Sequence, residues 1–546
     1  MHWIDWAILI MTLGGIILYG VYKGKSSKNL EGYFLSNRSL PWYLVLLSIM
    51  GTQASAITFL TGPGQAYSDG MRFVQYYFGL PLAMIVICIF FVPVFSKLKV
   101  YTAYEFLEQR FDVKTRALTS FLFLLSRGLS TGVSIYAPSL VLSSLMGWNI
   151  YMTNLVMGGL LIIYTMSGGA KAVAHTQKLQ MIIVLVALFF VGYLTVKLLP
   201  AGVGFKEALL SAGSEGKMNI ITTGFTSKGF DWNDKYNIWS GVIGGFFLAL
   251  SYFGTDHSQV GRYLTAKDTG EIRKSLLMNG IVKVPMQFFI LLLGVLIFSF
   301  YLYNKAPVYF DETKVIEAKQ TIKKDSLILL EEQYASYTKM SDLAKAKVVK
   351  DKYKQVLKRA LPTQEINDNN YIFLRFVKDN LPVGLIGLIF AIIFLAAWGS
   401  IAAALNSLAA CTVIDFHKKF FSQAATGMHD YKISQLYTLG WGIFSIIIAM
   451  FAHNIGNSLI EAVNIIGSLF YGVILGIFLV AFWIKKVKST AVFSAVVIAE
   501  LMILYIYNQK IISFLWLNAI GALLVIFLSV LLQATIKFFR SNPIEQ

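Results

Sequence analysis

Apolar stretches of about membrane length, separated by short polar connections, occupy nearly the whole chain. Thirteen can be set out, at about 3–22, 40–66, 73–96, 117–145, 148–167, 176–199, 236–257, 276–304, 378–413, 433–452, 457–483, 489–507 and 511–536. About 20 apolar residues of helix cross a hydrocarbon core of roughly 30 Å, so each stretch predicts a spanning helix. Two stretches are interrupted by polar residues and glycines. The second carries Gly51-Thr52-Gln53-Ala54-Ser55-Ala56-Ile57-Thr58, and the seventh carries Gly244-Gly245 through Ser251-Tyr252-Phe253-Gly254-Thr255-Asp256. Backbone that leaves the helix at membrane depth is tolerated only where it lines a cavity or binds something. Paired breaks in matching positions therefore predict a binding site near the midplane.

Composition sharpens this picture. Of 546 residues, 56% are hydrophobic and 14% charged, where soluble domains run at about a quarter charged. The net charge of +18 would suggest nucleic acid in a soluble protein, but no nucleic-acid partner is expected here. The basic residues sit in connections on one side of the threading: Lys23–Arg38, Lys97–Arg116, Lys171–Lys178, Arg262–Lys274, His417–Lys432, Lys485–Lys488 and Lys537–Arg540. The opposite connections, near Tyr67–Arg72, Met146–Asn149, Ala452–Ser458 and Asn508–Lys510, carry almost none. Such asymmetry places the first group in the cytoplasm, the N-terminus outside and the C-terminus inside, in an inner or plasma membrane. The run at 3–22 lacks a basic leader and a small-residue cleavage site, and is followed by Lys23, Lys25 and Lys28. It reads as a retained helix rather than a signal peptide.

Two outer loops are long. Ala201–Lys235 is rich in glycine and serine, whereas Ala306–Lys378 contains a Lys-, Glu-, Ala- and Leu-dense segment, Glu317–Ala360, with apolar residues at helical spacing. That segment predicts one or two amphipathic helices capping the outer face. Tyr101–Arg116 predicts a short interfacial helix on the inner side. Phosphate-cradling loops, a GxSxG elbow and an HExxH pair are missing, the six histidines are scattered, and Cys88 and Cys411 both lie in apolar stretches. The chain is expected to be no enzyme and to need no cofactor beyond an ion.

Four short motifs carry a resemblance. They are Gly32-Tyr33-Phe34-Leu35-Ser36-Asn37-Arg38, Tyr101-Thr102-Ala103-Tyr104-Glu105-Phe106-Leu107-Glu108-Gln109-Arg110-Phe111, Ser167-Gly168-Gly169-Ala170-Lys171-Ala172-Val173 and Ser258-Gln259-Val260-Gly261-Arg262-Tyr263-Leu264. Together they resemble the sodium/solute symporter family, and Ile135-Tyr136-Ala137-Pro138 with Gly254-Thr255-Asp256-His257-Ser258-Gln259 is most similar to its anion, monocarboxylate and vitamin branch. The resemblance implies an all-α polytopic protein of about 13 spans with the LeuT-type five-plus-five inverted repeat. Its parts would be an extra helix and loop at 1–39, repeat one at 40–199, an outer loop at 200–235, repeat two at 236–483 holding the 306–378 insertion, and two C-terminal helices at 484–546.

Carried over by motif, a sodium site falls on Gly51, Ala54, Ala396, Gly399 and Ser400. A hard cation prefers oxygen ligands, and an unwound helix offers free carbonyls. The family usually has two adjacent hydroxyl residues where this chain has Gly399-Ser400, and commonly an aspartate where it has His175-Thr176-Gln177. The solute pocket falls on Thr52, Gln53, Thr58, Tyr76, Tyr77, Tyr136, Tyr252 and Lys283, the tyrosines being readable as packing or interfacial aromatics too. Polar groups that the sugar branch carries are absent at Thr58, Tyr77 and Ala249, which argues against a sugar because unpaired buried hydroxyls are costly.

Three charges lie at membrane depth, Arg127, Asp256 and Lys283. Each costs about 2.5–3.5 kcal/mol at a helix centre and should be paired or face a cavity. Arg127 is open to three roles: a gate salt bridge to Asp256, snorkelling, or a bidentate clamp on a carboxylate. Asp256, Arg262 and Gln177 are further gate or buried-polar candidates. The expectation is sodium-coupled symport of a small organic solute, an anion favoured, across the lipid bilayer. A sugar or sialic-acid-type symporter, a proton-coupled or uncoupled carrier, and a non-transporting sensor stand as alternatives.

Overall fold

The computed structural model describes residues 1–23, 30–339, 342–421, 427–452 and 458–541. Lys25, Lys28, His453 and the middles of three predicted connections, at 24–29, 422–426 and 453–457, lie outside the described residues. The helices used below are α1 (Trp3–Lys23), α2 (Trp42–Gln53), α3 (Ala56–Asp69), α4 (Leu80–Val86, continued by a π turn and a further helix to 98), α5 (Val113–Met146) and α6 (Ile150–Lys197). They continue with α7 (Gly245–Gly254), α8 (His257–Tyr263), α9 (Thr269–Tyr303), α10 (Lys324–Lys339), α11 (Leu343–Ala360), α12 (Leu385–Cys411), α13 (Gly427–Phe451), α14 (Leu459–Trp483), α15 (Ser489–Asn508) and α16 (Phe514–Ser541).

Among the described residues, ten helices are long and apolar enough to cross a membrane, and Trp42–Gln53, Ile150–Met166 and Ser240–Gly254 are shorter apolar helices. Side chains start several of them: Asp112 accepts from Thr115 N, Asn149 from Tyr151 N, and Asp268 from Glu271 N. Each bond satisfies a backbone donor that the first turn leaves free. The run α6 holds both the fifth and sixth predicted spans and is not straight. Tyr164 and Thr176 share a hydroxyl–hydroxyl hydrogen bond of 2.8 Å, yet 12 residues of straight helix advance about 18 Å. The chain therefore turns back between them, as the two-span reading requires.

Both predicted breaks occur. The first falls at Ala54–Ser55, where Ala54 takes φ −87° and ψ 79° between α2 and α3. The second is narrower than the sequence suggested. Gly244-Gly245 stay helical within a π turn running into α7, and the chain leaves the helix only at Thr255–Asp256. Asp256 restarts it as the cap of α8, accepting from Ser258 N at 2.8 Å. The Thr255 carbonyl released by the break accepts the Tyr104 hydroxyl at 3.0 Å. The inner segment around Tyr104 is thus less interfacial than expected. Its helix, Glu105–Arg110, is tucked under the bundle, with Arg110 bonded to the carbonyls of Ala481, Ile484 and Val487.

The segments expected on the outer side are structured. The 200–235 loop holds a helix, Phe205–Ser214, and a two-residue β-ribbon, Phe225–Thr226 with Gly229–Phe230. The 306–378 insertion forms Glu312–Lys319 and the hairpin α10–α11, which buries Leu327, Val349, Tyr353 and Leu357. Its returning strand of chain is anchored on the bundle. Asn369 accepts the Ser68 hydroxyl at 2.7 Å, Asn370 accepts Leu459 N at 3.3 Å, and Gly64 approaches so closely that a Cβ there would lie 2.0 Å from the Asn369 carbonyl oxygen.

Candidate functional site

A pocket opens between α3, the segment before α4, α5, α7 and α14. Of the expected pocket residues Gln53, Thr58, Tyr76, Tyr77 and Tyr252 line it, and so does Arg127, which the sequence set among gate or buried charges. The unwound turn between α2 and α3 supplies Gln53 and Ser55, and Thr58 follows on the first turn of α3. Among the described residues Arg127 is the only charged one in the lining. Its Nη2 donates to Tyr471 Oη at 2.8 Å and pairs with Asp256 Oδ2, and its guanidinium lies 5.4 Å from the centre of the Tyr252 ring. Tyr471 donates in turn to the same Asp256 oxygen at 2.9 Å. Snorkelling is therefore excluded as the role of Arg127, because its head group is held inside the bundle.

Other expected lining residues lie elsewhere. Thr52 points away from the pocket, donating to Ser48 O at 2.8 Å and accepting from Gln177. Tyr136 is not among the lining residues and sits within electrostatic reach of Asp311 and Tyr151, towards the outer end of its helix. Lys283 is fully buried one layer behind the pocket, its ammonium 5.4 Å from the Tyr77 ring centre and without a hydrogen-bond partner. The nearest helical turns on either side hold Asn279 and Gln287, also buried with their amides unpartnered. Arg262 is buried on α8 away from the pocket, with two of its guanidinium nitrogens unpartnered. Reading residues helix by helix also misses α14. Ile460, Val463, Asn464 and Tyr471 recur at helical spacing along one face and all line the pocket, Asn464 accepting the Tyr76 hydroxyl at 3.0 Å. The polar Asn464 inside an apolar stretch was the available signal.

Beside the break, α2, α6 and α12 pack on one another, and Gly51 and Gly399 both abut the side chain of Gln177. Ala54, Ala396 and Ser400, the other residues expected at a cation site, lie on α12 or at the end of α2. Ser400 Oγ donates back into its own helix, 3.0 Å from the carbonyls of Ala396 and Ala397. Gln177, from α6, reaches the Gly399 carbonyl at 3.0 Å. The carbonyl and hydroxyl oxygens that these residues carry are the ligand type a hard monovalent cation takes. Among the described residues no cluster of His, Cys, Asp and Glu could hold a metal ion of another kind.

Comparison with known proteins fits this geometry. The profile of the Sodium:solute symporter family matches residues 33–332 and 345–499. The chain is 25% identical over 542 residues, 99% of its length and 94% of the relative's, to the sodium/sialic acid symporter NanT of Aliivibrio fischeri. Identity is 23% over 549 residues, 100% and 96% of the two chains, to the sodium/sialic acid symporter SiaT of Proteus mirabilis. It is 29% over 296 residues, 54% and 45% of the two chains, to the sodium/iodide cotransporter of Homo sapiens. A solved Na+-coupled sialic acid symporter, in a substrate-bound outward-open state, superposes with a TM-score of 0.78 over 97% of this chain and 98% of that one. At 22% identity that likeness speaks to the fold alone. All these relatives are transporters. A profile that takes in both broken helices, the pocket and the oxygen-lined junction leaves one assignment: the chain belongs to the sodium:solute symporter family and couples sodium to the movement of a small solute.

Proposed function

We propose that the solute is a small organic anion, that its charged group docks on Arg127, and that sodium binds at Gly51, Ala54, Ala396, Gly399 and Ser400. One observation carries the choice of an anion. Among the described residues the only formal charge lining the pocket is a guanidinium, and its counter-ion Asp256 is turned away behind it with 1% of its side chain exposed. Arginine offers five donors, and here Nη2 serves Asp256 and Tyr471 while Nε is unpartnered. Sialic acid and iodide, named for two of the relatives, both carry negative charge, the first being the sialic-acid-type alternative set out from the sequence. The lining also lacks the amides and carboxylates that would order a neutral sugar at Thr58, Tyr77 and Ala249.

In this reading sodium ties the end of α2 to α12 and favours the state open to the outside. The anion then completes the pocket, and each ligand favours the conformation that the other prefers. The orientation is N-terminus outside and C-terminus in the cytoplasm of a cell with an inner or plasma membrane. The test is competition in proteoliposomes under an inward sodium gradient, pairing each carboxylate with its neutral amide. Uptake should be inhibited by the carboxylates alone, and Arg127→Gln should raise KM for the transported anion at least about tenfold, the loss of one charge-assisted pair. Equal inhibition by amides, with KM unmoved in Arg127→Gln, would instead leave Arg127 and Asp256 as a gate pair beneath a neutral solute.

A further inference from the structure

Gln177 makes a bridge that the sodium and solute sites do not explain. It is fully buried on α6. Its Nε2 donates to Gly399 O on α12 at 3.0 Å and to Thr52 Oγ1 on α2 at 3.1 Å, and its Oε1 accepts from Ser48 Oγ at 2.7 Å. Chemistry fixes which way the carboxamide faces. A carbonyl has no hydrogen to give, and the Thr52 hydroxyl hydrogen is committed to Ser48 O at 2.8 Å. Both oxygens therefore require a donor, and only the NH2 end supplies one. Glycines make room for this side chain: a Cβ on Gly51 would lie 2.9 Å from Gln177 Cβ, and a Cβ on Gly399 would lie 2.5 Å from Gln180 Oε1 and 3.1 Å from Gln177 Cγ.

Two oxygens from different helices facing a common point repel unless positive charge lies between them. A cation can supply it, and so can two N–H groups of a fixed amide. The amide is permanent, carries no net charge and does not dissociate during a cycle. We propose that the Gln177 carboxamide takes the place of a second cation, between Gly399 O and Thr52 Oγ1, so that a single sodium travels per cycle. This rests on reading Gly51, Ala54, Ala396, Gly399 and Ser400 as the sodium site, with the Gly399 carbonyl shared between the ion and Gln177. Gln177→Glu would set a carboxylate against the Gly399 carbonyl and the Thr52 lone pair, an arrangement relieved by a cation between them or, at lower pH, by a proton on the carboxyl. One substitution of nearly equal shape would thereby create a second sodium site.

The probe is sodium itself, titrated as chloride at constant ionic strength against choline chloride, with purified full-length protein. Radiosodium binding and apparent melting temperature are the readouts. The wild type should bind one sodium with a Hill coefficient of about 1, and Gln177→Glu should approach about 2, the coefficient being bounded by the number of sites. Gln177→Glu should also melt lower than wild type in choline and regain that loss in sodium. Gln177→Met, which removes the donors without adding charge, should lose stability equally in both salts and keep a coefficient of about 1. Two sodium ions bound by the wild type would overturn the proposal even if no variant folds. So would a Gln177→Glu protein whose loss is the same in both salts. Ser400→Ala separates the two readings. If it is silent while Gln177→Glu gains sodium dependence, the sodium site is misplaced and the role of Gln177 stands. If Ser400→Ala weakens binding and Gln177→Glu changes nothing, the role of Gln177 fails alone.

Discussion

Replacing Asp256 by asparagine isolates the charge of the Arg127–Asp256 pair, because asparagine still caps α8 towards Ser258 N. Only 1% of the Asp256 side chain and 12% of the Arg127 side chain are exposed, so water cannot stand in for a missing partner. Breaking a buried pair from one side costs about 3–5 kcal/mol. After Asp256→Asn, Arg127 keeps the Tyr471 hydroxyl and the Tyr252 ring but no anion, and the full range applies. Arg127→Met is milder. Asp256 retains the Ser258 N–H and the Tyr471 O–H, two bonds to a charged group, which brings the loss to about 2–3 kcal/mol. The double variant strands neither charge, so its loss should not exceed that of Asp256→Asn, and the coupling energy should reach about 2 kcal/mol or more. Reversible unfolding in mixed detergent micelles measures the three losses, with initial uptake in proteoliposomes alongside. Losses that add to within about 0.5 kcal/mol, or an Arg127→Met protein weaker than Asp256→Asn, would refute this account of the pair.

Ser400 brings the one side-chain oxygen to the proposed cation ligands, so Ser400→Ala should raise the sodium concentration for half-maximal uptake several-fold, read from sodium titrations of transport. A cysteine at Glu332, exposed in the outer insertion, should react with an impermeant thiol reagent in intact cells, and one at Lys267 only after permeabilisation. The background would lack Cys88 and Cys411, both buried, and the reverse pattern would invert the topology. Lys283→Met should raise the apparent melting temperature, since an ammonium buried without a carboxylate is replaced by an apolar chain of similar length. A fall in melting temperature would mean that Lys283 is stabilised by a group that methionine cannot engage. Gly64→Ala should cost about 1–3 kcal/mol, because its Cβ would meet main chain rather than a movable side chain. Unfolding in mixed micelles would report this too, and an unchanged stability would place the insertion's foot further from α3.

Much of the architecture is legible because membrane helices satisfy their own backbone, so length and apolarity suffice to find them. The break at Ala54–Ser55 is legible for the same reason, since polar residues inside an apolar run have to be explained. The width of the second break is not. Glycines at 244 and 245 weaken a helix without ending it, and only the Asp256 cap with the Tyr104 hydroxyl on Thr255 O fixes where it stops. Depth within the bundle is likewise hidden. Lys283, Tyr136 and Thr52 occupy plausible heights, but which face of a helix meets a pocket depends on neighbours distant in sequence. Tyr471 and Asn464 were overlooked for that reason: their partners Asp256 and Tyr76 lie 215 and 388 residues away.

The foot of the outer insertion has a mechanical meaning. Asn369 grips α3 through Ser68 and Gly64, while its neighbour Asn370 holds the first amide of α14. These are the helices that flank the pocket on the outer side, so the foot acts as a clasp between two jaws. Any widening between the outer ends of α3 and α14 has to unfasten it. In the proposed orientation, with this face outward, the resistance to opening lies in the insertion and not in the lipid-facing wall. An antibody fragment that gripped the α10–α11 hairpin and steadied the foot would then restrain the carrier without entering the pocket.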